Sequence, residues 1–87
     1  MNFEQALKKE LKEISNFLLE KNKAYGNSAL EPIRIFSKAS KLEQLYVRMD
    51  DKLSRIKRGQ ADNEDVFQDL LGYLIIERLA KKYFIDN

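Results

Sequence analysis

The chain has no cysteine and no histidine in its 87 residues. Thiolate and imidazole metal sites, thiol redox chemistry and histidine acid–base catalysis are excluded together. Any metal would have to be a hard cation held by carboxylates, Mg²⁺ or Mn²⁺ by preference. Long apolar runs are also missing: nothing reaches the roughly 18 residues of a membrane span. Met1 to Glu10 carries Lys and Glu where a secretory segment would be apolar, so the expected location is the cytoplasm, that of the host cell if the protein is phage-encoded. Internal repeats, low-complexity tracts and strand alternation are absent too, and with them the β and repeat architectures.

What is present is 44% hydrophobic and 34% charged sequence with a net charge of +2, enough for a single domain over residues 1–87. A chain this short buries about 60 to 65% of its unfolded surface, which makes an isolated monomer marginal and a homo-oligomer the expectation. The net charge is too mild to announce a nucleic-acid protein, and with no recognisable reader helix the chain is a weak candidate for one. Its distribution is uneven. Lys41 to Gln60 carries six basic residues against three acidic, and Ala61 to Asn87 three against six. Opposite fields on successive segments favour packing them together and leave a basic surface for anions.

The periodicity is helical. Phe3, Leu7, Leu11, Ile14 and Leu18 form a stripe from about Asn2 to Asn22, opened by Asn2 and Gln5 as a capping box and stopped at Tyr25-Gly26-Asn27. Pro32 breaks the chain, and Pro32 to Lys38 reads as one short helical piece anchored by Ile33, Ile35 and Phe36. Ser40-Lys41-Leu42-Glu43 opens a second long helix with Leu42, Leu45, Met49, Leu53 and Ile56 on its core stripe, ended by Gly59. Asp62-Asn63-Glu64-Asp65 starts the third, which runs to about Phe84. The predicted class is all-α: a small bundle of three long helices plus one short helical piece.

Asp69 stands out, because Val66 to Ile76 is otherwise apolar on nearly every side and reads as a buried helix. An ionised carboxylate there costs several kcal/mol unless a cation, a metal or a dense hydrogen-bond network meets it. Lys52 and Arg55 are candidate partners. At about 100° per residue, Asp50 and Glu43 share one flank of the second helix, while Arg48, Asp51, Arg55 and Arg58 lie on its outward side. On the last helix Asp65, Asp69, Tyr73 and Ile76 share a face. Antiparallel packing would bring Asp50 or Glu43 near Asp65 and Asp69, a cluster stable with a metal, a cation or a raised pKa. Asp65 and Glu43 are equally suited to capping. Lys21-Asn22-Lys23-Ala24-Tyr25-Gly26-Asn27-Ser28 combines cations, small amides, a hydroxyl and one aromatic, groups suited to a phosphate and a stacked base and equally to a helix terminus.

Three segments carry a resemblance: Lys21 to Ser28, Arg48 to Ile56 and Asp65 to Leu74. In order and spacing they resemble the short phage-encoded "nucleotide modification associated" helical domain, itself similar to MazG-like all-α nucleoside triphosphate pyrophosphohydrolases. The likeness covers roughly residues 10 to 80 and implies a helical, oligomeric, nucleotide-related phage protein. MazG-like enzymes hold Mg²⁺ with Glu-Glu-x-x-Glu on one helix and Glu-x-x-Asp on the next. Here Asp69 matches the final Asp, Val66 replaces the Glu three residues before it, and the first motif has no counterpart.

Three functions follow. The first is a non-catalytic nucleotide binder that sequesters a nucleotide or cyclic oligonucleotide, such as a host immune signal, in pockets between subunits. Lys21, Asn22, Asn27, Ser28, Arg48, Lys52 and Arg55 would meet the phosphates and Tyr25 or Tyr46 would stack. It needs no cofactor and no catalytic residue. The alternative is a Mg²⁺-dependent nucleoside triphosphate pyrophosphohydrolase with Asp50, Asp65 and Asp69 as metal ligands and water as nucleophile. The third is a helical interaction module using exposed apolar residues such as Val47, Phe84 and Ile85.

Overall fold

Local capping decides where each helix begins. In the computed structural model, which describes residues 1–31, 35–59 and 65–84, there are three α-helices, α1 (Phe3–Tyr25), α2 (Lys41–Lys57) and α3 (Val66–Leu79), with α3 continuing as a π-helical turn over Ala80–Phe84. At the start of α1 the Asn2 side chain accepts from the Gln5 amide at 2.8 Å, and the Gln5 side chain accepts from the Asn2 amide at 3.2 Å. The reciprocal pair satisfies two donors that the helix itself leaves open. Ser40 Oγ accepts from the Glu43 amide at 3.1 Å to start α2, and Asp65 Oδ1 from the Gln68 amide at 2.8 Å to start α3.

Helix ends follow from glycine. Gly26 takes a left-handed φ of +60°, and Asn27 follows it at +62°. The Gly26 and Asn27 amides both turn back to the Asn22 carbonyl, closing α1 three residues later than its apolar periodicity alone predicts. Gly59, at +69°, stands two residues beyond the end of α2.

The most extensive packing is between α2 and α3, the two segments of opposite net charge. Leu45 of α2 and Val66 of α3 are almost fully buried, together with Ala80, and α1 contributes Ile14. Gly72 leaves room for the end of the Leu18 side chain where α1 meets α3, since a Cβ at that position would stand 2.9 Å from Leu18 Cδ2.

Three expectations are corrected. Helix α3 is not buried all round: Phe67, Leu71 and Leu74 are exposed, because α1 and α2 cover one side of it and the other side has no neighbour among the described residues. Ile35 and Phe36 are exposed rather than anchored, and 35–38 is not helical; Pro32, Ile33 and Arg34 of the same expected piece lie outside the described residues. Leu53, expected on the core stripe of α2, is half exposed. Among the described residues no helix is long and apolar enough to cross a membrane.

Truncating the largest fully buried side chain tests this core. Leu45→Ala is expected to cost about 2–5 kcal/mol, the range for a buried leucine, read as a fall in the urea midpoint by far-UV circular dichroism; an unchanged midpoint would contradict the placement.

Candidate functional site

The site grows from one carboxylate in the first turn of α3. Asp69 Oδ2 lies 3.4 Å from Lys52 Nζ of α2, and Asp69 Oδ1 lies 3.0 Å from Lys21 Nζ of α1. The Asp69 and Lys52 side chains are 14% and 13% exposed, against 46% for Lys21. The inner ion pair is therefore well covered and the second lysine stands at the mouth. Position adds to the attraction, since the unpaired N–H groups of a helix N-terminus favour negative charge.

Around this triad α1, α2 and the turn after α1 enclose a cavity of about 350 Å³ against α3. Lys21, Asn22, Tyr25, Ser28, Arg48 and Lys52 line it, six of the residues expected to bind a ligand. Arg48 Nη2 donates to the Ser28 carbonyl at 3.4 Å, tying α2 to the turn. Asn22 Nδ2 donates to Asn27 Oδ1, so Asn27 shapes the turn without lining the cavity. Lys21 Nζ sits 4.8 Å over the Phe17 ring, a cation–π contact that helps to orient it. The apolar wall comes from α1 and α3 and includes Phe17, Tyr73 and Ile76. Three cations stand against one carboxylate, with Tyr25 exposed at the rim.

Other expectations are redistributed. Arg48 is half-buried and turned inward, not outward, because the turn carbonyl of Ser28 draws it in. Arg55 does not line the cavity, and its Nε lies 3.4 Å from Asp51 Oδ2 one helical turn earlier. Tyr46 does not line it either; it faces Lys81, whose pKa is raised above its ordinary value by hydrogen bonding to Glu77 first and to Tyr46 second.

The carboxylates do not converge. Among the described residues no group of three or more Asp or Glu is placed to hold a metal ion. Asp50 is exposed and Glu43 lies in the first turn of α2, Asp65 caps α3, and Asp69 is answered by two lysines. Sequence reasoning missed Lys21 as a partner of Asp69. The signal was there: at about 100° per residue Lys21 continues the Ile14–Leu18 stripe, so the face that packs on α3 ends in a cation. Phe17 and Ile76 were missed as lining residues because each reads equally well as core.

No family model, curated protein or solved structure matches the chain. Residues of all three segments noted in the sequence, Lys21 to Ser28, Arg48 to Ile56 and Asp65 to Leu74, line this cavity.

The contacts can be tested by substitution. In a double-mutant cycle of Asp69→Asn and Lys52→Met, the pair is expected to show a coupling of about 1–3 kcal/mol in chemical denaturation; additive effects would mean the two charges do not meet. Asp65→Ala is expected to cost about 1 kcal/mol of stability, the value of an N-cap, while leaving ligand affinity unchanged. A loss of affinity without loss of stability would make Asp65 a ligand.

Proposed function

We propose that this protein is a non-catalytic nucleotide binder. The observation that carries the reading is the convergence of Lys21, Arg48 and Lys52 with a single carboxylate on one cavity that has an aromatic rim. In this reading the guanidinium and the ammonium groups take the phosphate oxygens, the guanidinium offering two parallel donors and each lysine a point charge. Tyr25, 67% exposed at the mouth, stacks on the base. Asp69 holds both lysines in register and offsets part of the positive charge of the lining.

Size supports the same ligand class. At about 350 Å³ the cavity falls at the lower end of the range for small-molecule sites, roughly 300–1,000 Å³. That suits one nucleotide unit, free or as part of a cyclic oligonucleotide whose remainder lies past Tyr25. One chain supplies the lining residues of this cavity, so in this reading each protomer carries a site. The motif resemblance supports a phage setting, in which a binder without turnover acts by withdrawing a nucleotide signal of the host. The hydrolase alternative lacks the three-carboxylate cluster among the described residues that would favour it.

Calorimetric titration with mono-, di- and cyclic oligonucleotides, without added metal, tests the proposal. Binding is expected at micromolar dissociation constants and should weaken with ionic strength, as a charge-assisted site must. Lys21→Met is expected to weaken it about tenfold, the loss of one charge-assisted hydrogen bond worth about 1.4 kcal/mol. No heat with any of these ligands ends the reading.

A further inference from the structure

The chain exposes more surface than a compact monomer of its mass. Its accessible area is 7144 Å², where a compact monomer of 10.3 kDa exposes roughly 5,400 Å². The radius of gyration is 14.6 Å against roughly 12 Å for a compact domain of this length. The excess of roughly 1,700 Å² is about twice the 800 Å² that one partner contributes to a standard interface.

The excess contains two defined apolar stripes. On α1, Phe3, Leu7 and Leu11 lie within about 80° of one another, at about 100° per residue. They continue the line of Ile14 and Leu18, but where those two turn into the core, these three are left in solvent. On α3, Phe67, Leu71 and Leu74 lie within about 60° and directly opposite Asp69 and Ile76 on the helix. The six residues are between 41% and 82% exposed. Each stripe presents three large anchors over a similar length, about 12 Å on α1 and about 10 Å on α3 at about 1.5 Å per residue. Contiguous apolar faces of this kind mark interaction sites.

We infer that the occupant of both stripes is a second copy of this chain, with the α1 stripe of each protomer seated on the α3 stripe of the other. A two-fold axis makes the contact twice and covers both stripes in one closed assembly. The alternatives are less economical: pairing α3 with α3 leaves Phe3, Leu7 and Leu11 in water, and pairing α1 with α1 leaves Phe67, Leu71 and Leu74 there. None of the six residues lines the cavity, so the inference stands apart from what the cavity holds.

Sedimentation equilibrium of the full chain tests it, with Leu7→Lys, Leu71→Glu and the double variant alongside. Both positions are exposed in the protomer, so the variants should keep their helical circular dichroism. The unaltered chain is expected to be a dimer at micromolar concentration. Each single variant should raise the dissociation constant by a hundredfold or more. The double variant should recover at least tenfold of that loss, because the introduced ammonium of one copy meets the introduced carboxylate of the other only if the stripes pair across copies.

A monomer at these concentrations overturns the inference, whatever else binds the stripes, lipid vesicles included. So does a result in which Leu71→Glu dissociates the dimer and Leu7→Lys leaves it intact, since α3 would then be packing on its own copy.

Discussion

One ion triad joins all three helices. Asp69 belongs to α3, Lys52 to α2 and Lys21 to α1, and both lysines reach the same carboxylate. Apolar burial in this protomer is thin: among the described residues Ile14, Leu45, Val66 and Ala80 form the buried apolar core. A covered charge makes a demanding constraint in such a setting, because an uncompensated carboxylate costs several kcal/mol and therefore disfavours any arrangement of the helices in which the lysines fail to arrive. The attraction adds little net stability over an apolar substitute, but it selects one geometry. Gly72 permits that geometry by letting Leu18 come close to α3.

The same constraint produces the cavity. Holding α1 to α3 through a long lysine side chain, instead of through a continuous apolar seam, leaves room beside the triad, and the turn from Gly26 to Ser28 folds over that room. Arg48 secures the turn through the Ser28 carbonyl. The structural ion pair and the lining of the cavity are thus built from the same groups. In the function proposed above, an anion entering the cavity would compete with Asp69 for Lys21 and Lys52, and the carboxylate would tune how strongly a phosphate is held. On the opposite side of α3 no helix among the described residues covers Phe67, Leu71 and Leu74, which stay exposed.

The elements were largely legible in the sequence because their signals are local. Asn2 with Gln5, Ser40, Gly26 and Gly59 act through hydrogen bonds and backbone conformations within a few residues, and each acts where its residue type predicts. The need of Asp69 for a cation was legible as well, and so was Lys52 as one answer. Lys21 was not, because its role depends on how α1 crosses α3, a non-local fact that periodicity leaves open. Arg48 was misplaced by a helical wheel that cannot include the carbonyl of a neighbouring turn. The exposure of Phe67, Leu71 and Leu74 was hidden for a related reason: an apolar helix reads as buried whether its cover comes from its own chain or from another.

A structure of the protein crystallised with a nucleotide tests the central claim most directly. The account predicts phosphate oxygens within hydrogen-bonding distance of Lys21 and Arg48, with Asp69 still bridging toward Lys52 and the base against Tyr25. A nucleotide bound elsewhere, or an Asp69 carboxylate turned to solvent with Lys21 and Lys52 apart, would contradict it.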